Sequence, residues 1–103
     1  MDDLEGWRKK IDEIDFKLIK LLNERSQCAI EIGRIKEKLN LEIYDPGREK
    51  IVIENVRSVS DGPLTEEAVR RLFEHIFDES RRAQQEVKNA QVANRNNQEI
   101  KES

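Results

Sequence analysis

Apolar residues recur at alternating steps of three and four through Leu4, Trp7, Ile11, Ile14, Leu18 and Leu21, and again through Cys28, Ile32, Ile35 and Leu39. That spacing marks one face of a helix. Arg25, midway along the seam, carries a cation where the pattern calls for an apolar side chain. No proline interrupts the stretch, and Gly33 costs only about 1 kcal/mol relative to alanine, so the pattern predicts one first helix from about Asp3 to about Leu39. "NLEIYDPGREK" breaks it and restarts the chain: Asp45 suits an N-cap and Pro46 the first helical position, where its missing N–H costs nothing. The second helix is expected over residues 46–59 with Ile51, Val52, Val56 and Val59 inward. Gly62 and Pro63 punctuate the next turn, and Thr65 caps a third helix opened by Glu66 and Glu67. Its apolar face carries Ala68, Val69, Leu72, Phe73, Ile76, Phe77, Ala83 and Val87, with Ser80 and Gln84 on the same face. From Lys88 the text "KNAQVANRNNQEIKES" is polar with no sustained stripe, so residues 88–103 are expected to form a frayed or disordered tail behind a domain over residues 1–87. The fold class read from these patterns is all-α.

Length turns the pattern into a statement about assembly. The first helix spans roughly 50 Å at the standard rise, whereas a compact 100-residue domain has a radius of gyration near 13 Å. A rod of that length cannot be wrapped by 103 residues of which 40% are charged and 36% hydrophobic. A second copy along the seam is therefore expected, giving an intertwined six-helix homodimer. The net charge of −3 with interspersed signs argues against nucleic acid as a partner. No apolar run approaches a bilayer span or a signal peptide, so a membrane is not expected and the location is expected to be cytoplasmic. Cys28 has no second cysteine to pair with and is expected to be a buried small hydrophobe. His75 stands alone, is expected at the surface, and gives no basis for a metal or other cofactor.

The polar groups inside the apolar faces are where chemistry is to be sought. Arg25, Ala29, Ile32 and Lys36 fall within about 40° of one another around the first helix. They offer two cations around an apolar floor. Arg8 lies about 25 Å along the same helix from Arg25 and cannot serve that pocket from its own chain. Arg48 and Glu49 lie one turn past the Asp45 cap, and Ser80 and Gln84 lie one turn apart on the third helix. A buried cation must be paired or await an anion. Two readings follow from spacing alone: a register device, with Arg25 paired to a glutamate of the partner helix, or a site for an anionic ligand. Taken singly, Arg8, Lys36 and Arg48 also read as solvated helix charges, Asp45 as only a cap, and Ser80 and Gln84 as partners of nearby backbone.

Taken together and in order, "WRKKIDEID", "LLNERSQCAIEIGRIK", "YDPGREK" and "DESRRAQQ" resemble the all-helical class of chorismate mutase, over about residues 4 to 87. The resemblance implies a homodimer of three-helix protomers with two equivalent sites, and the Claisen rearrangement of chorismate to prephenate without cofactor or covalent intermediate. Carried onto this sequence, Arg8 completes the opposite subunit's site and binds a substrate carboxylate together with Arg25. Lys36 and Gln84 donate to the ether oxygen whose bond to carbon breaks. Glu49 accepts from the ring hydroxyl, aided by the backbone at Asp45. Arg48 supplies charge near the carboxylates, Ser80 contacts one of them, and Ile32 and Phe77 form apolar walls. Two rivals are an isochorismate pyruvate-lyase on the same fold and a non-catalytic helical dimer. Arg81 and Arg82 depart from the pattern, standing where at least one apolar residue is expected against the substrate.

Overall fold

The computed structural model describes residues 3–102, with side chains described through residue 96. Three helices run in order: α1 (Leu4–Lys38), α2 (Pro46–Val59) and α3 (Glu66–Glu102). Their starts are set by side chains that take up orphan N–H groups. Asp3 accepts from the Gly6 amide, Asp45 from the Arg48 amide at 3.0 Å, and Thr65 Oγ1 from the Ala68 amide at 3.1 Å. The end of α1 is a Schellman motif: Asn40 sits at φ 57°, its N–H bonds Glu37 O at 3.1 Å, and the Leu41 N–H bonds Lys36 O at 2.7 Å. Asparagine is one of the few non-glycine residues that adopt this left-handed conformation readily. The turn before α3 uses Gly62, at φ +91°, in the same region.

α3 is the element on which both others pack, α1 with the larger contact and α2 with the smaller. Ala29, Val69 and Phe77 are the buried apolar residues among those described, and Phe73 meets Phe77 edge to face with centroids 6.1 Å apart. That is a thin core. The molecule measures 72 × 31 × 15 Å with a radius of gyration of 18.9 Å, well above the ~13 Å of a compact chain this long. Every residue from Leu4 to Leu21 is exposed, including Trp7 at 62% and Ile14 at 53%. The N-terminal half of the apolar seam is thus uncovered by its own chain.

Several expectations are corrected. Cys28 is exposed, not buried, because its side of α1 faces an open cleft rather than α3. On α2, Ile51 and Val59 point outward and Ile53 takes their place beside Val52 and Val56, since the helix turns the 49, 52, 53 and 56 stripe toward α3. Leu72 is half exposed. The segment expected to fray from Lys88 is helical to Glu102. Arg95 reaches across to pair with Glu37 at the end of α1, Val87 and Gln91 are half-buried, and Gln85 bonds Asn89 one turn on at 2.9 Å. These contacts supply what the polar composition does not advertise. Ser103 and the side chains of residues 97–102 lie outside the described residues.

Candidate functional site

Where α1, α3 and the start of α2 converge, they leave a cleft of about 290 Å³, at the small end of ligand pockets. Its floor is apolar, made by Ala29, Ile32, Val52 and Phe77, and its polar lining includes Arg25, Lys36, Asp45, Arg48, Glu49, Ser80 and Gln84. All the site residues expected from the sequence meet here except Arg8. That residue lies on the exposed part of α1, in a surface ion pair with Glu5 at 3.3 Å.

Arg25 has no carboxylate within salt-bridge range among the described residues. Its Nη1 donates to Ser80 Oγ at 2.6 Å, and its guanidinium lies over the Phe77 ring at 5.7 Å. Ser80 in turn gives its proton to Ile76 O at 2.9 Å, which leaves its oxygen as the acceptor that Arg25 requires. Burial pushes the Arg25 pKa down, the nearby charge of Arg48 adds to this, and Cys28 opposes it. Burial and the like charge of Arg48, the two larger causes, mark a cation held without full compensation.

Lys36 is positioned from two ends. Its carbonyl is held by the α1 cap, and its Nζ donates to Ile43 O in the linker at 3.1 Å. An ammonium has three N–H groups, so two stay available to the cleft. Gln84 is buried at 8% exposure, and its Nε2 donates to Ala29 O at 2.7 Å. The carbonyl acceptor fixes the amide's sense: nitrogen faces α1, and its second N–H remains to be used. The side chain packs over Gly33, where an added Cβ would lie 3.0 Å from Gln84 Cγ. Gly33 therefore lets α3 approach α1 closely enough for this hydrogen bond.

At the rim, both acids are engaged. Asp45 caps α2, and Glu49 pairs with Arg81, which also pairs with Asp78 and lies over the Tyr44 ring at 5.2 Å. The hydrogen bonds that Arg81 donates to Glu49 and Asp78 raise its pKa. The departure at 81 and 82 thus resolves into two cases: Arg81 lines the cleft, while Arg82 is exposed and paired with Glu79 at 3.0 Å. The Ile43 carbonyl, the Ala29 carbonyl and Tyr44 were missed from sequence. Backbone acceptors carry no residue signature, but Tyr44 stands beside the Asp45 cap and was open to notice.

The family profile described as chorismate mutase type II matches residues 7–85. This chain belongs to the chorismate mutase type II family. It is 38% identical over 81 residues to the bifunctional chorismate mutase/prephenate dehydratase of Aquifex aeolicus, covering 75% of this chain and 22% of that protein. It is 34% identical over 87 residues to the chorismate mutase of Methanocaldococcus jannaschii, covering 84% and 88%. Among solved structures, Helicobacter pylori chorismate mutase in complex with prephenate superposes with a TM-score of 0.78 at 29% identity, covering 84% of this chain and 93% of that one. The chain spans about a fifth to a quarter of the length of the bifunctional relatives it matches.

Proposed function

We propose that this chain is a chorismate mutase that rearranges chorismate to prephenate as a homodimer, each of its two sites completed by the partner subunit's Arg8. The observation that carries the reading is the charge pattern of the cleft. Arg25, Lys36 and Arg48 surround an apolar floor with no carboxylate paired to them among the described residues, while Asp45 caps α2 and Glu49 has one oxygen on Arg81. Such a site suits a compact dianion. The family membership and the likeness to a prephenate-bound relative support the same substrate.

A [3,3] rearrangement asks for no nucleophile; it asks that a flexible molecule be held in a chair-like geometry and that charge growing on the ether oxygen be met. Arg25 and the partner subunit's Arg8 anchor one carboxylate, with Arg48 near the carboxylates. Ser80 contacts one of them once its hydroxyl turns away from Ile76 O. The free N–H groups of Lys36 and Gln84 meet the ether oxygen, and because negative charge appears there only as the bond lengthens, they favour the transition state over the ground state. Glu49 accepts from the ring hydroxyl beside the Asp45 backbone.

The test is to supply chorismate and isochorismate separately and follow prephenate against salicylate plus pyruvate. Prephenate is the expected product; dominant salicylate transfers the reading to the pyruvate-lyase, and turnover of neither transfers it to a non-catalytic dimer.

A further inference from the structure

The cleft contains one cation that the proposed chemistry does not use. Arg81 stands on α3 immediately after Ser80, where an apolar wall was expected, yet it is only about one-third exposed and touches three groups at once. Its Nη1 donates to Glu49 Oε2 on α2, its Nη2 donates to Asp78 on its own helix, and its guanidinium covers the Tyr44 ring in the linker. A planar fork suits this arrangement, because it donates within its plane while its face lies against an aromatic ring.

We infer that Arg81 is a positioning residue, which holds the Glu49 carboxylate at the cleft rim with Oε2 engaged and Oε1 left to accept from the substrate hydroxyl. The inference rests on the proposed reading of the site. Among the described residues no donor bonds Oε1, so Arg81 takes one acceptor face and leaves the other.

Two physical effects require such a clamp. Glu49 has three side-chain torsions, and freezing them by an ion pair before the substrate arrives removes an ordering cost from binding and catalysis. A carboxylate facing a dianion also repels it, and the adjacent guanidinium offsets that repulsion where an apolar wall does not. Asp78 and Tyr44 hold Arg81 in turn: the carboxylate fixes one nitrogen and the ring restricts the plane.

The test is a double-mutant cycle on kcat/KM with chorismate, using Arg81→Ala, Glu49→Gln and the double variant, with circular dichroism confirming helix content. Arg81→Ala is expected to lose between about tenfold and a hundredfold, the scale on which misplacing a reacting geometry acts. Arg81→Lys, which keeps the charge but not the fork, is expected to recover part of that loss. In the Glu49→Gln background, removing Arg81 is expected to cost less than about threefold, because two residues acting as one unit are not additive. An Arg81→Ala loss of equal size with and without Glu49, or one that leaves wild-type activity intact, overturns the inference. Failure of the wild-type protein to turn over chorismate instead overturns the reading on which it rests.

Discussion

At the scale of single residues, the site is governed by which hydrogen-bonding capacity is already spent. Ser80 has given its proton to Ile76 O, Lys36 has one of three donors on Ile43 O, and Gln84 has one of two on Ala29 O. What remains is what a ligand meets. Gln84 gives the sharpest pH prediction. An amide donates at any ordinary pH, so native activity is expected to vary little between roughly pH 5 and 8, where a carboxylate of pKa near 4.3 is already ionised. In Gln84→Glu the ionised carboxylate only accepts, faces the Ala29 carbonyl and repels the charge growing on the ether oxygen. Burial and that carbonyl both favour its protonated form, while Lys36 in the same cleft pulls the other way. The protonated form alone donates, so the variant's activity is expected to be present at low pH and lost as pH rises through its apparent pKa. Profiles of kcat/KM against pH for both proteins check this; a variant as active at pH 8 as at pH 5 removes Gln84 from its role.

At the scale of elements, the two long helices α1 and α3 run together from Arg25 beside Ser80 to Glu37 beside Arg95, and Gly33 lies between those contacts. Gly33 looks from sequence like a defect in α1, costing about 1 kcal/mol of helix propensity. In the structure it is where Gln84 of α3 rides against α1. Gly33→Ala restores the propensity but places a methyl group 3.0 Å from Gln84 Cγ and 3.2 Å from its Cβ, contacts that force a shift of a few tenths of an ångström. Overpacking costs about 1–3 kcal/mol, and a flexible side chain that gives by a few tenths of an ångström sits at the low end of that range, where the two terms nearly cancel in stability while the Gln84 hydrogen bond is displaced. The expected outcome is a melting temperature within a few degrees of the native value and kcat/KM reduced by about tenfold or more. Thermal melts beside steady-state kinetics separate the two. A fully active Gly33→Ala protein shows that the close approach is not needed. The α1 cap acts at the same scale, for the Schellman motif that stops the helix also turns the linker so that Ile43 O reaches Lys36.

At the scale of the whole molecule, one protomer is elongated, with half of α1 bare. Burying side chains of the size of Trp7, Ile11, Ile14 and Leu18 is worth about 1.5–3 kcal/mol each, and the proposed dimer provides that burial. It also predicts how sites are shared. Arg8→Ala and Arg25→Ala proteins are each expected to be nearly inactive. In their heterodimer both lesions fall in one site and leave the other whole. Equal mixing with free subunit exchange makes half of the dimers mixed, so about a quarter of native sites should return. Activity after co-refolding, with native mass spectrometry to count heterodimers, checks this. Heterodimers without activity sink the shared site.

The three helices and the Asp45 and Thr65 caps were legible in the sequence, because caps and apolar periodicity are local properties of the chain, whereas the joining of residues from three helices in one cleft was implied only by the family resemblance. Arg25 announced itself as a charge in an apolar seam, and its partner Ser80, together with Gln84, as polar groups in an apolar stripe. Which α2 residues turn inward was not legible, because Ile51 and Ile53 have equal apolar character and only the approach of α3 selects between them. The continuation of α3 past Lys88 escaped for the same reason: its support comes from Glu37, 58 residues away from Arg95. Arg81 shows the division most clearly. Its sequence neighbourhood presents a surface-like run of charges, and only the packing of α2 against α3 brings Glu49 from 32 residues away to face it. Local periodicity determined the elements, and the distances between elements decided what each charge is for.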